Sequence, residues 1–167
     1  ALRFLRIESL LQLIHHAPCA TLALVHGACF GAGADIVAAC ALRLAAPDSR
    51  FRLPGLRFGV ALGTRRLAEL VGRDTALSLL MTAREFSSED ALAAGLLTEI
   101  SAKADWPERV AAAAAAAAVL PSDSLTSLLR LTRADHRDAD LAALARSVAV
   151  PGLKNRIAAY LASRSPS

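Results

Sequence analysis

The segment HGACFGAGADI, residues 26–36, decides how the fold of this chain is interpreted, because it concentrates three glycines and several small residues just before an acid. The residues before it, 21–25, are typical of a buried strand, and residues 36–42 can form about two turns of an apolar helix. The glycines therefore lie at a strand-to-helix joint. We expect the main-chain N–H groups of residues 31–33 to point outward there, in front of the positive end of the helix dipole.

Two phosphate-binding motifs share features with this segment but do not match it. The dinucleotide fingerprint G-x-G-x-x-G requires a third glycine, whereas GAG at 31–33 is followed by ADI, and no Gly-Lys-Ser/Thr of a Walker loop is present. A tight turn into a helix N-terminus can also stabilise negative charge that develops on an enolate or tetrahedral thioester oxygen. The alternative is a structural turn in which glycine permits close packing of strand and helix.

Composition limits the class of protein. The 167 residues fit one domain, but 54% are hydrophobic and the mean hydropathy is +0.41, which is high for a globular domain. The uncharged run at 110–120 is too short to span a membrane, and no signal-peptide pattern opens the chain. We therefore expect no membrane segment. The apolar excess indicates an oligomer interface, a missing covering segment, or both.

Charge and cysteines narrow the class further. Residues 1–66 carry eight arginines against three acids, and this basic half suits a phosphate-bearing ligand. Aromatic residues make up only 4%, and no nucleic-acid-binding motif is present, so we expect no nucleic-acid partner. Cys19, Cys29 and Cys40 form no metal-binding or paired pattern, which predicts free thiols, no metal site and a cytoplasmic location.

Turn and capping residues predict an early part that alternates strands and helices and a late part that is helical. We expect a first helix that ends before Pro18 and later strands at 43–46, 51–53 and 96–100. Further helices are expected to begin at Gly63, at an Asp74 cap and at the cap SSED of 87–90. From Asp105 onward we expect only helix, including the alanines at 111–118 and helices near 122–133, 138–148 and 152–163.

The glycine segment resembles the signature of the crotonase superfamily, the enoyl-CoA hydratases and isomerases. The resemblance continues in order through further segments: LRLAA at 42–46, FRLPG at 51–55, FGVALGTRRL at 58–67, TAREFSSEDA at 82–91, AGLL at 94–97 and GLKNRIAAYL at 152–161. It covers essentially the whole chain.

This resemblance implies an α/β fold: a partial crotonase-like ββα superhelix over residues 1–104, followed by a C-terminal helical oligomerisation region over 105–167. It implies an acyl-CoA substrate of fatty acid metabolism, with coenzyme A as part of the substrate and no separate cofactor. It also implies a homotrimer or a hexamer made of two trimers. The chain matches the later portion of the family and lacks the N-terminal half, which supplies the second amide of the oxyanion hole and part of the adenine-binding surface.

By position, the resemblance gives Ala32 an oxyanion-hole amide, flanked by Gly31 and Gly33. The first catalytic glutamate of the hydratases falls at Asp35 and the second at Gly55, which has no side chain. The chain therefore lacks one of the two carboxylates that hydration uses in this family. A single carboxylate can still move a proton in a double-bond isomerisation. Asp35 has a structural alternative, because an acid in the first helical turn complements the dipole.

The function implied is an enoyl-CoA hydratase/isomerase-like enzyme, a lyase or an isomerase. The alternative is a catalytically impaired acyl-CoA-binding or scaffold homologue. The resemblance places Gly55 and Val60 in the acyl pocket and Lys154 near a neighbouring subunit's CoA phosphates.

Several basic residues have open roles. Arg52 and Arg57 flank Gly55 and either hold an acidic acyl group or lie in solvent. Arg65 and Arg66 are expected on an exposed helix face. The histidines at 15–16 end the first helix, where a positively charged imidazole would suit the dipole.

Overall fold

The computed structural model describes residues 1–163. The helices of this part of the chain are α1 (Leu2–His15), α2 (Ala32–Ala39), α3 (Thr64–Val71), α4 (Arg73–Thr82), α5 (Ser88–Ala93), α6 (Trp106–Ala118), α7 (Ser122–Leu131), α8 (Arg137–Ala149) and α9 (Leu153–Ala162), with 3₁₀ turns at Gly55–Phe58 and Lys103–Asp105.

Six short strands form two small sheets in the described part of the chain. They are β1 (Leu22–Val25), β2 (Ala28–Phe30), β3 (Leu42–Ala45), β4 (Arg50–Arg52), β5 (Phe86–Ser87) and β6 (Glu99–Ile100). One sheet has the order β1-β3-β6 and is parallel. In the other, of order β2-β4-β5, β2 and β4 are parallel and β5 is antiparallel to β4.

The glycine segment forms a strand-to-helix joint, as predicted, but its boundaries differ from the prediction. Residues 28–30 form β2, and α2 runs from Ala32 to Ala39, so it ends earlier than the helical segment that was predicted over 36–42. The helix ends at Ala39 because Leu42 already belongs to β3, where it is paired with Leu22. The acid at position 35 therefore lies in the first turn of the helix.

The strand predicted at 96–100 is shorter in the structure. Leu96 and Leu97 donate their N–H groups to the carbonyl of Ala91 in the turn after α5. The strand β6 is therefore limited to Glu99 and Ile100, which pair with Leu44 and Ala45 of β3.

Two of the helix starts show how capping works here. Ser87 caps α5 as predicted, since its hydroxyl accepts a hydrogen bond from the N–H of Asp90. The prediction that Asp74 caps the next helix is wrong. Gly72, with φ of 77°, both ends α3 and precedes α4, so Asp74 lies inside the first turn.

The core has two parts. The larger cluster lies around Phe51, whose ring stacks on Phe86 at 5.7 Å between centroids. The smaller cluster joins Val60 to Leu144 and Val148 of α8, with Phe4 of α1 packed against it. Because α1 and α8 both contact the loop that carries Val60, they fix the position of this loop beside α2.

Three of the four C-terminal helices contribute little to this core, whereas α8 supplies Leu144 and Val148. None of the residues of α6, α7 or α9 is buried, including the alanines at 111–118. Across residues 1–163, no single helix is both long enough and apolar enough to cross a membrane. The segments Lys103–Ala118 and Ser122–Leu131 have the required length and apolar composition only when they are taken together, and the chain bends by 102° between them.

Candidate active site

A small cavity lies at the N-terminal end of α2. Its volume is about 50 Å³, and its walls come from the first turn of α1, the glycine joint and the loop after β4. It brings together five residues that the sequence placed in a site: Gly31, Ala32, Asp35, Gly55 and Val60. The other lining residues are apolar, namely Phe4, Leu53, Leu56, Phe58, Leu62 and Leu80.

The main-chain N–H of Gly31 is not available to a ligand. It donates to the carbonyl of Arg52 at 2.8 Å and so extends the pairing of β2 with β4. The expectation that all three amides of 31–33 point outward is therefore wrong for Gly31. Its φ of 56° allows the chain to leave the sheet and enter α2 within one residue.

The next amides precede the hydrogen-bond ladder of α2. The first intrahelical bond runs from the N–H of Asp35 to the carbonyl of Gly31, at 3.1 Å, so the N–H groups of residues 32–34 have no partner in the preceding turn. Ala32 lines the cavity, whereas Gly33 does not. A β-carbon on Gly33 would instead lie 3.6 Å from Cys29 Sγ. Ala32 is thus the helix-terminal amide best placed toward the cavity.

Asp35 is the only ionisable residue among the described residues that line this cavity. Its exposed fraction is 5%. Burial raises the pKa of Asp35 to about 7, an effect that Arg66 opposes and Glu8 adds to. The carboxyl can therefore both hold and release a proton near neutral pH.

Gly55 leaves no room for a second carboxylate on this backbone. A β-carbon at residue 55 would lie 2.9 Å from the carbonyl oxygen of Val60. The loop is closed by a hydrogen bond from the N–H of Val60 to the carbonyl of Gly55, also 2.9 Å long. The absent side chain is thus part of a tight loop.

The two arginines that flank Gly55 in the sequence point elsewhere. Arg52 Nε donates to the carbonyl of Ala83 at 2.8 Å, and Arg57 Nη2 donates to the carbonyl of Thr82 at 2.8 Å. Neither residue lines the cavity. Both hold the turn after α4, so the structure gives no support to their holding an acidic acyl group.

Arg66 is a buried charged residue near the site whose position was not predicted from the sequence. The expectation that it lies on an exposed face is wrong, because its exposed fraction is 5%. It forms an ion pair with Glu8, which is 1% exposed, and lies 3.8 Å from Asp140. Arg65 is half-exposed as expected and pairs with Asp140 at 2.6 Å.

A signal for this buried pair exists in the sequence. Glu8 lies four residues after Phe4 and three before Leu11, and therefore on the apolar stripe of α1. A carboxylate at such a position requires a buried partner. Because Arg66 and Glu8 both affect the pKa of Asp35, they form the electrostatic surroundings of the site.

The remaining predicted residues have less direct relations to the cavity. Burial lowers the pKa of His15 to about 4, with His16 and Arg133 adding to the effect, so His15 is a neutral ring rather than the expected cation. Lys154 is exposed on α9 and does not line the cavity. Residues 1–163 contain no cluster of three or more His, Cys, Asp or Glu side chains arranged to hold a metal.

The sequence of the chain is similar to that of a known protein family. The sequence model described as Enoyl-CoA hydratase/isomerase matches residues 4–151. A Bacillus subtilis (strain 168) protein named probable enoyl-CoA hydratase is 37% identical over 131 residues, which are 75% of this chain and 50% of that protein. A Mycobacterium leprae (strain TN) protein, also named as an enoyl-CoA hydratase, is 34% identical over 103 residues, 60% of this chain and 42% of the relative.

Solved structures agree. A Bordetella parapertussis structure named as an enoyl-CoA hydratase/isomerase is 50% identical to this chain and superposes on it with a TM-score of 0.94. The match covers 99% of this chain and 68% of the Bordetella chain. A structure of a protein named as an enoyl-CoA hydratase from Streptomyces avermitilis is 27% identical, with a TM-score of 0.75. That match covers 89% of this chain and 57% of the Streptomyces chain. The chain spans about half the length of the curated relatives it matches. With the family match over most of its residues, the chain belongs to the enoyl-CoA hydratase/isomerase family of crotonase-fold proteins.

Proposed function

We propose that this protein acts on acyl-CoA thioesters and stabilises a thioester enolate in a backbone oxyanion hole. The observation that carries the proposal is the position of Ala32 and Asp35 around one apolar cavity at a helix N-terminus. A donor amide and a carboxyl that titrates near pH 7 are the two groups that enolate chemistry needs.

In the proposed reaction, the N–H of Ala32 donates to the thioester oxygen, beside the positive end of the α2 dipole. Asp35, as carboxylate, takes a proton from the carbon next to the carbonyl, and the electron pair of that C–H bond moves onto the oxygen. Gly31 does not take part as a donor, because its N–H is bonded to Arg52. The family resemblance assigns the second amide to the N-terminal half of the longer relatives.

We favour proton transfer by a single acid, as in a double-bond isomerisation, over hydration. Asp35 can return its proton to a different carbon of the same enolate, so no second acid is required. Hydration by paired carboxylates needs an acid where Gly55 lies, and the carbonyl of Val60 occupies the adjoining space. The otherwise apolar walls favour an uncharged acyl group.

The sharpest test removes the Ala32 N–H without removing the helix. Ala32 is the first residue of α2, where proline is well tolerated, and Gly31 can adopt the backbone that precedes a proline. We expect Ala32→Pro to lower kcat on a panel of enoyl-CoA isomers by roughly 10²–10³-fold, the usual loss for one oxyanion donor. Ala32→Ser keeps the N–H and serves as the matched control. Equal rates for the two variants would remove Ala32 from the mechanism.

A second candidate is a non-catalytic acyl-CoA-binding or scaffold protein, favoured by the closed loop at Gly55. It predicts that calorimetry detects acyl-CoA binding while no enoyl-, dienoyl- or malonyl-type thioester is turned over. Turnover that is lost in Ala32→Pro and kept in Ala32→Ser would exclude it.

We also propose that the protein assembles as a homotrimer or as a hexamer of two trimers. Exposed apolar side chains of the C-terminal helical region support this, with exposed fractions of 81% for Val119, directly after α6, and 78% for Leu131 of α7. In such an assembly Lys154 would contact a neighbouring subunit's CoA phosphates. Light scattering tests the assembly, and a raised KM in Lys154→Ala tests the contact.

A further inference from the structure

A second cavity lies at the opposite end of α2 from the candidate active site. Its volume is about 410 Å³, and it is enclosed by the ends of α1 and α2, the start of β3, α3 and the segment that includes α7. It shares no lining residue with the first cavity.

The walls of this cavity carry an excess of positive charge. Arg43, Arg66 and Arg133 line it, and Glu69 is the single carboxylate among the described lining residues. The Glu69 carboxylate is itself engaged, at 3.1 Å from Nε2 of His136. Arg66 is paired with Glu8 through its Nη2 atom, which leaves Arg43 and Arg133 facing this space without a carboxylate partner among the described residues.

Two of these guanidinium groups have no acidic partner anywhere in residues 1–163. Arg43 is 9% exposed, and its side chain donates only to main-chain carbonyls, with Nε 2.7 Å from the oxygen of Leu96. Arg133 donates through Nη1 to the carbonyl of His15. Burial lowers the pKa of both arginines, and for Arg43 the charge of Arg133 lowers it further, so the two cations are close enough to repel each other.

Three buried nitrogen atoms at this cavity also have no hydrogen-bond partner within the described chain. They are Nε2 of His15, Nη1 of Arg66 and Nη2 of Arg133. Arg66 is 5% exposed, so bulk water does not satisfy its free N–H. Buried charged donors are costly to leave unpaired, and such groups in native proteins indicate an ion or ordered water.

We infer that this cavity binds a small multivalent oxyanion of the phosphate class, held by Arg66 and Arg133 and balanced by the charge of Arg43. A tetrahedral oxyanion presents several acceptor oxygens, which matches donors that converge from different elements. Guanidinium groups suit such anions, since each can donate two parallel hydrogen bonds. The cavity shares no lining residue with the candidate active site, and Arg66 connects the two because its charge also lowers the pKa of Asp35.

The test titrates the whole chain with inorganic phosphate in a calorimeter, against chloride at the same ionic strength. We expect saturable binding that Arg133→Gln weakens by about tenfold or more, a loss of 1.4 kcal/mol or more. Arg130→Gln is the matched control, because Arg130 is an exposed arginine of α7 that does not line the cavity. Binding in Arg130→Gln should stay within about twofold of the wild type.

Two further experiments, competition with acetyl-CoA and crystallisation with selenate, test where the anion binds. Saturating acetyl-CoA should leave the phosphate affinity unchanged, whereas competition would show that the phosphate occupies a CoA phosphate subsite and would overturn the proposal. Crystals of the unmodified chain grown with selenate should show anomalous density beside Arg66 and Arg133, even if Arg133→Gln does not fold. Density elsewhere, no phosphate binding, or equal binding in the two variants would each refute a site in this cavity.

Discussion

The carboxyl group of Asp35 lies directly against the α-carbon of Gly63, so that a β-carbon at residue 63 would overlap Oδ1 of Asp35 and lie 2.9 Å from its Cγ. Gly63 precedes α3 with φ of 64° and ψ of 4°. The start of α3 thus forms one wall around the buried acid. Both the left-handed conformation and the contact require glycine.

We predict that Gly63→Ala displaces the Asp35 carboxyl and abolishes most turnover. The matched control is Gly152→Ala, because Gly152 precedes α9 in the same left-handed conformation and its nearest neighbouring atom would be 3.9 Å away. Both variants carry the backbone cost of roughly 1–2 kcal/mol. Denaturant titration and turnover measured together separate the effects. Equal losses of activity in the two variants would contradict a specific contact with Asp35.

A second prediction concerns pH and Asp35. The pKa of Asp35 is raised to about 7 in the folded chain, from 3.8, so between these values the folded state binds the extra proton and its stability falls as pH rises. Asp35→Asn stays neutral and avoids this penalty. Its stability advantage over the wild type should grow by roughly 3–4 kcal/mol between pH 4 and pH 8, while turnover is lost.

The control for this pH series is Asp74→Asn. Asp74 also lies in the first turn of a helix, but it is exposed, and its carboxyl is in water in both folded and unfolded chains. Chemical denaturation of the three proteins at each pH gives the comparison. If the free energy of unfolding of Asp35→Asn changed with pH in parallel with that of the wild type, burial would not raise the proton affinity of Asp35.

A third prediction is that a second acid cannot be restored by substitution alone. Gly55→Glu should show no gain of hydratase activity, and Gly55→Ala should cost about 1–3 kcal/mol, because the new β-carbon meets the carbonyl of Val60 at 2.9 Å. Gly33→Ala is the stability control, since its β-carbon has ordinary contact with Cys29. Efficient addition of water to crotonyl-CoA by Gly55→Glu would mean that the loop is free to open.

The sequence predicted the parts of this site that depend on local signals. The glycines and the acid at 31–35 mark a strand-to-helix joint because glycine and helix-terminal acids act on their own backbone. Motif order then placed Gly55 and Val60 near that joint. Gly31, Asp35, Gly55 and Val60 do line one cavity, whereas Gly33 lies outside it.

Sequence reasoning failed where a partner distant in the chain decides the outcome. The N–H of Gly31 is occupied because Arg52 lies opposite it in the sheet, and Arg66 is buried because Glu8 reaches it from α1. The first pairing has no local signature, and the place of Glu8 on the apolar stripe of α1 indicates a buried partner without identifying it as Arg66. Short elements failed for a related reason, since β5 has only two residues and exists through its pairing with β4.

The last prediction concerns the buried ion pair of Glu8 and Arg66, which connects α1 to α3. Each partner is almost fully buried, so removal of one leaves an uncompensated charge in the interior. We expect Glu8→Leu and Arg66→Met each to cost roughly 3–5 kcal/mol. The double variant should cost much less than the sum, because it removes both charges and replaces them with apolar side chains of similar volume.

Denaturant titration of the two single variants and the double variant gives this cycle, with the exposed pair Arg50 and Glu85, 2.8 Å apart, as the control. The control pair is in water, so its coupling should be about 1 kcal/mol or less. The buried pair also affects the acid of the site, since Arg66 opposes the raised pKa of Asp35 and Glu8 adds to it. Arg66→Met should therefore shift the pH midpoint of turnover upward. Additive costs in the cycle, or an unchanged midpoint in Arg66→Met, would contradict a network that extends from α1 through α3 to Asp35.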